Sequence, residues 1–155
     1  MEKATFAAGC FWGVEYKFSK ISGVIKTTAG YTGGRLNKPT YEDVCYKDTG
    51  HAEAVLLEFD PAVITYEKLL DAFFSMHDPT QLNRQGPDYG EQYRSAIFFH
   101  SPSQEKTARE YIERLQKSGI FKRGIVTQVV QAGEFFEAEE YHQKYIEKKG
   151  GGACF

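Results

Sequence analysis

Gly9-Cys10-Phe11-Trp12-Gly13 stands between a short apolar run, Ala4-Thr5-Phe6-Ala7-Ala8, and the segment Val14-Glu15-Tyr16-Lys17-Phe18-Ser19-Lys20-Ile21. The first run reads as a strand. The second reads as a helix with apolar residues at 11, 14, 18 and 21 on one face. Cys10 is therefore expected at a strand-to-helix turn, where unpaired N–H groups and the positive end of the helix dipole gather. A thiolate is stabilised there, so the position predicts a lowered thiol pKa. Two glycines let other atoms come close, and two aromatics follow. Cys10 reads either as a nucleophile beside a hydrophobic receptor or as a small buried cysteine in a packing seam.

Working outward, Ser22-Gly23 ends the helix and Val24 to Tyr31 reads as a strand. Residues 32–50 form a long turn-rich stretch carrying Tyr41 and Cys45, a length that favours function. Ala52 to Phe59 reads as a strand, with Glu53 on the same face as Val55, Leu57 and Phe59. A carboxylate on an apolar face is costly unless protonated or paired; the alternative is a strand-end glutamate that reaches water. Thr65 caps a helix with apolar residues at 66, 69, 70, 73 and 74, stopped by Asp78-Pro79. The polar loop from Thr80 to Tyr93 again favours a site over filler. Then come a strand from Arg94 to His100, a helix opened by Ser101-Pro102-Ser103-Gln104 and ended by Gly119, and a strand from Ile125 to Val130. The stripe Ala138, Tyr141, His142, Tyr145 and Ile146, with acids at 137, 139 and 140 and Lys148-Lys149 behind, predicts one last helix. The chain closes on Gly150-Gly151-Gly152-Ala153-Cys154-Phe155.

The order β-α-β-β-α-β-α-β-α is α+β. Its first six elements match a split βαβ, ferredoxin-like core, and the whole predicts a two-layer sandwich of helices on one face of a mixed sheet. The 155 residues suit a single domain, with residues 149–155 as a flexible, glycine-rich tail. Hydrophobic content of 41%, charged content of 26% and a net charge of −2 predict a soluble globule with no nucleic-acid or membrane surface. No apolar run spans a bilayer and the start does not read as a secretion signal, so the expected location is cytoplasmic. Aromatics reach 15%, enough for a core and an aromatic-lined site.

Three cysteines, Cys10, Cys45 and Cys154, with no Cys-x-x-Cys, argue against a disulfide framework or a zinc site. A tethered thiol at 154 can reach a distant site, so Cys10 and Cys154 read as attacking and resolving thiols of a two-step redox pair; an inert end is the alternative. A cysteine hydrolase would need a histidine beside Cys10. His77 and His142 lie on helical stripes and read as structural. His51-x-Glu53 has the spacing of a zinc deaminase but lacks the matching Pro-Cys-x-x-Cys.

Gly9-Cys10-Phe11-Trp12-Gly13 resembles the active-site motif of the A-type peptide methionine sulfoxide reductases. So, in the same order, do Gly30-Tyr31-Thr32-Gly33-Gly34, Thr40-Tyr41-Glu42-Asp43-Val44 and Thr49-Gly50-His51-Ala52-Glu53-Ala54-Val55. His77-Asp78-Pro79-Thr80, Arg84-Gln85-Gly86-Pro87-Asp88-Tyr89-Gly90, Gln92-Tyr93-Arg94-Ser95-Ala96 and Ala138-Glu139-Glu140-Tyr141-His142-Gln143 continue it over nearly the whole chain. The resemblance implies an oxidoreductase for protein repair under oxidative stress, acting on the S epimer of methionine sulfoxide, free or in proteins. It implies that Cys10 attacks the sulfoxide sulfur and becomes a sulfenic acid, and that Phe11 and Trp12 hold the methyl group. Tyr41, Glu53 and Tyr93 would bind and protonate the oxygen, with Asp88 on the polar side. A Cys10–Cys154 disulfide would be recycled by thioredoxin, with no cofactor or metal and a monomeric chain. A glutamate held neutral by an apolar setting suits the proton donor. The rival class is a non-catalytic module that binds methionine side chains. Pro87 stands where many members carry Asn, and Cys45 reads as a bystander.

Overall fold

The computed structural model describes residues 1–149, so Cys154 and the rest of the expected tail beyond Lys149 lie outside the described residues. In chain order the elements are β1 (Glu2–Ala8), α1 (Phe11–Ser19), β2 (Val24–Thr32), α2 (Tyr41–Tyr46), β3 (Ala52–Phe59) and α3 (Tyr66–Ser75). They continue with β4 (Arg84–Gln85), β5 (Asp88–Tyr89), β6 (Ser95–Phe99), α4 (Pro102–Lys117), β7 (Gln128–Gln131), β8 (Phe135–Glu137) and α5 (Tyr145–Lys148). Two 3-10 turns, Glu91–Tyr93 and Glu140–His142, join some of these. The architecture is a mixed α/β fold. Six strands form one sheet in the order β7-β6-β1-β3-β2-β8; every pair is antiparallel except β6 with β7.

Strand alternation divides the sheet into two unlike faces. Ala4, Phe6 and Ala8 of β1, Val55, Leu57 and Phe59 of β3, and Ile97 of β6 join the core with Phe11, Val14 and Phe18 of α1 and Leu69, Leu70, Phe73 and Phe74 of α3. Burying each large side chain contributes about 1.5–3 kcal/mol. Phe6 is central, stacked 5.2 Å from Phe18 and 5.0 Å from Phe73. The opposite face carries Ala7, Ala52, Ala54 and Ala96 with Phe98, and Ala132 and Phe135 lie on it. Gly30 belongs to this shallow face: a Cβ there would sit 2.4 Å from the Phe135 ring.

The caps that start the helices are those the sequence predicts at two places. Thr65 Oγ1 accepts from Lys68 N at 3.2 Å, and Ser101 Oγ from Gln104 N at 3.1 Å. The long 32–50 stretch holds a helix that its turn residues conceal. In α2 the Thr40 hydroxyl accepts from Asp43 N at 3.1 Å while the Asp43 carboxylate accepts from Thr40 N at 3.0 Å, a reciprocal box.

The last helix is the main correction. Instead of one helix over 137–149, residues 135–137 add an edge strand to β2, a 3-10 turn follows, and only Tyr145–Lys148 is α-helical. Tertiary bonds outweigh the helical stripe here. Gln143 clasps Ala29 with its amide, donating to the carbonyl and accepting from N–H, both at 2.9 Å. Lys144 then takes a left-handed conformation, φ +54°, and its N–H donates to buried Glu15 at 2.8 Å. The predicted strand at 125–130 is also shifted, since only Gln128–Gln131 pairs with β6.

Candidate active site

Cys10 is the residue that opens α1, with φ −56° and ψ 123°, after Gly9 turns the chain at φ +96°. Its thiol is free and half-buried. The helix start supplies what the sequence predicts: the Trp12 and Gly13 amides pull the thiol pKa down. Burial wins. Desolvation, then the nearby Glu53 carboxylate and Asp88, push the pKa up to about 12. Cys10 therefore rests as a thiol, where the helix start alone predicts a low-pKa thiolate.

Glu53 behaves as its strand position predicts. It is 1% exposed, paired across the sheet with Tyr31, on the face that carries the core. Burial raises its pKa to about 7, against the lowering effect of two donors, and Asp88 adds to the rise. Those donors are Gln92 Nε2, 3.2 Å from Oε2, and Phe11 N, 3.3 Å from Oε1. The second bond ties the carboxyl to the residue next to Cys10.

A cleft of about 600 Å³ opens over Cys10 and is lined by Trp12, Tyr41, Asp88, Tyr93, Met76 and Lys17 among others. Thus Cys10 and Trp12 at the start of α1, Tyr41 of α2, Asp88 of β5 and Tyr93 of the following turn meet in one place. Glu53 does not line the cleft; it forms the floor behind Cys10, close enough to raise the pKa of the Tyr41 and Tyr93 hydroxyls. Other clefts of about 480 and 440 Å³ contain no thiol. Among the described residues no cluster of three or more His, Cys, Asp or Glu could hold a metal.

Of the two expected methyl-binding aromatics, only Trp12 faces the cleft. Phe11 is 1% exposed and turns into the core, 5.6 Å from Tyr31 and 5.2 Å from His142. Trp12 stacks on Tyr145 at 3.8 Å and donates its indole N–H to His142 Nδ1 at 2.9 Å.

Two of the histidines are held by the fold. His51 accepts from Gly34 N at 3.1 Å and donates to the Leu36 carbonyl at 2.7 Å. His77 is fixed between the Phe73 carbonyl and Ser95 Oγ, both at 2.7 Å, and burial lowers its pKa to about 4. Three contributors are not evident from the sequence. Glu139 receives bonds from Tyr31 Oη and Tyr41 N, both at 2.9 Å, and so pins the start of α2. Gln92 bridges Glu53 and Cys45 Sγ, the latter at 3.5 Å. Cys45, read as a bystander, lies one turn of α2 beyond Tyr41 and helps to raise the pKa of its hydroxyl. Glu139 falls within a quoted motif, but its partners are set only by tertiary structure.

A family profile described as "Peptide methionine sulfoxide reductase" matches residues 2–155. A Geobacter sulfurreducens protein named "Peptide methionine sulfoxide reductase MsrA" is 60% identical over 154 residues, covering 99% of this chain and 95% of that protein. Among solved structures, Mxr1 from Saccharomyces cerevisiae in reduced form superposes with a TM-score of 0.91 at 38% identity, covering 99% of this chain and 88% of that one. Mxr1 in complex with Trx2 aligns at 29% identity with a TM-score of 0.66, covering 93% and 84% of the two chains.

Proposed function

The chain belongs to the peptide methionine sulfoxide reductase family, and from that premise we propose how its own residues divide the work. It is an oxidoreductase that reduces the S epimer of methionine sulfoxide to methionine, with electrons supplied by thiols. A passive methionine-binding module is not favoured.

In our reading the substrate side chain enters the cleft with its methyl group against Trp12, braced from behind by Phe11. Its oxygen points toward the Tyr41 and Tyr93 hydroxyls and the floor carboxyl of Glu53, with Asp88 on the polar wall. Sulfoxide sulfur is a weak electrophile until its oxygen is protonated. Glu53 lends that proton, and Cys10 Sγ attacks the sulfur as its own proton passes to Glu53. The hydroxyl then passes from the substrate sulfur to Cys10 as the new sulfur–sulfur bond and the substrate S–O bond break, leaving a sulfenic acid on Cys10 and the free thioether. The sulfoxide sulfur gains two electrons and Cys10 sulfur loses two, so no other reductant enters this step. Cys154 then attacks the sulfenic sulfur, water leaves, and a Cys10–Cys154 disulfide forms. Thioredoxin returns it to the dithiol, a partnership supported by the yeast relative solved in complex with Trx2.

The observation that carries this reading is the buried Glu53 carboxyl bonded to the Phe11 N–H, next in sequence to Cys10, where burial pushes its pKa up to about 7. A proton donor at neutral pH and a nucleophile share one site. The raised thiol pKa fits it: the site avoids two adjacent negative charges, so thiolate forms as the proton moves to the substrate oxygen.

We further read β6-β1-β3-β2 as a ferredoxin-like split βαβ core, which their all-antiparallel pairing supports. We place residues 1–155 in one catalytic domain, monomeric and cytoplasmic, with the resolving thiol at Cys154 in its C-terminal segment. Two free thiols and no membrane-crossing helix among the described residues fit that location.

The test is reduction of each epimer by wild type and Cys10→Ser, driven by thioredoxin or dithiothreitol. Turnover of the S epimer alone, abolished by the substitution, is the expected result. Turnover by Cys10→Ser would end the assignment of the nucleophile.

A further inference from the structure

We propose that Gln92 is a positioning residue for the proton donor: its side-chain amide, shared between Glu53 Oε2 and Cys45 Sγ, fixes the buried carboxyl and sets how tightly it holds its proton. The inference rests on the donor role given to Glu53 above.

Gln92 is only 9% exposed, so water does not compete strongly for its amide. Its 3-10 turn is firmly seated. Tyr93 N donates to the Gly90 carbonyl at 3.0 Å, and Arg94 binds the Glu91 carbonyl at 2.9 Å and Gln128 Oε1 at 3.1 Å. Two acceptors for Nε2 orient the amide, with its own oxygen turned to the Gly90 side. Glu53 is thus gripped from opposite directions, by Phe11 N on one oxygen and Gln92 on the other.

The surroundings explain why a neutral donor stands there. Groups that act on Glu53 electrostatically, or bond to its partner Gln92, are Cys10 from the β1–α1 turn, Tyr31 of β2, Tyr41 and Cys45 of α2, Asp88 of β5, and Tyr93. None of them is a cation. A lysine or arginine at 92 would ionise Glu53 and end its ability to donate. An apolar residue would leave the proton held too tightly for rapid return. An amide favours the ionised form enough to offset part of the desolvation and no more.

The test is Gln92→Met, similar in length but without the donor, read by methionine release from reduced enzyme in a single turnover across pH. Wild type should lose rate as pH rises through Glu53 ionisation, and Glu53→Gln should lack that limb. In Gln92→Met the limb should move up by about half to one pH unit, the worth of one neutral hydrogen bond. The carboxyl infrared band that disappears in Glu53→Gln should titrate higher by the same amount. If Gln92→Met does not fold, Gln92→Asn, one methylene short of Glu53, should give the same shift. A reduced rate with limb and band unmoved means that Gln92 is merely structural, and overturns the proposal. A wild-type profile with no limb removed by Glu53→Gln would overturn the donor role itself and the inference with it.

Discussion

The indole N–H of Trp12 donates to Nδ1 of His142, 2.9 Å away, so the wall of the cleft over Cys10 is held by a residue 130 positions distant. Trp12 is the only tryptophan in the chain. Its position can therefore be watched by fluorescence without labels.

His142→Ala removes that acceptor and the ring packed 5.6 Å from the indole. KM for the sulfoxide should rise about 5- to 30-fold, the worth of roughly 1–2 kcal/mol, with a smaller change in the single-turnover rate at saturation. Trp12 emission should shift to the red as the ring gains water. Equal losses in KM and chemistry would mean that His142 does more than hold Trp12.

Glu53→Gln should slow the reduction step by about 10²- to 10⁴-fold, measured as methionine released in one turnover. The same change should stabilise the fold. The folded pKa of Glu53, about 7, lies above its ordinary value of 4.5, so its burial is free of penalty below pH 4.5 and costs stability as pH rises through 7. At pH 8 the variant should be more stable by on the order of 3 kcal/mol in urea unfolding, and at pH 4 the gain should vanish.

Cys10 should be a slow thiol at rest. Alkylation by iodoacetamide, followed at Cys10 by peptide mass, should still be climbing beyond about pH 10, where the same cysteine in the urea-unfolded chain has levelled off. Glu53→Gln removes one neighbouring negative charge, so alkylation of Cys10 at pH 9 should become faster.

Cys154→Ser should release one equivalent of methionine and then stall with thioredoxin as reductant, while Cys45→Ser should turn over. Continued thioredoxin-driven turnover in Cys154→Ser would shift the resolving role to Cys45, whose thiol lies beside Tyr41 and Gln92.

What could be read in advance follows from the range of the forces involved. Strand alternation puts Glu53 among Val55, Leu57 and Phe59 without further information, and the structure bears that out. The turn at Cys10 is equally local. Its pKa is not, because the desolvation that dominates comes from segments folding over it. The 135–149 region fails for the same reason. Its helical stripe is real, but Glu139, Gln143 and Lys144 spend their hydrogen bonds on Tyr31, Ala29, Thr27 and Glu15, and the helix is reduced to one turn. Gln92 carries no local signal, since its meaning depends on where β3 places Glu53.

The shallow face of the sheet has a consequence for how this sequence can drift. Phe135 packs on a face of small residues, Gly30, Ala52 and Ala54 among them, and there is no slack for an added methyl at Gly30. The helical face can trade one large side chain for another of similar volume. The shallow face can only stay small. Alternatives there are limited to glycine, alanine and serine, so this side of the molecule, remote from the thiol, should vary least in residue size among sequences that keep β8 against β2.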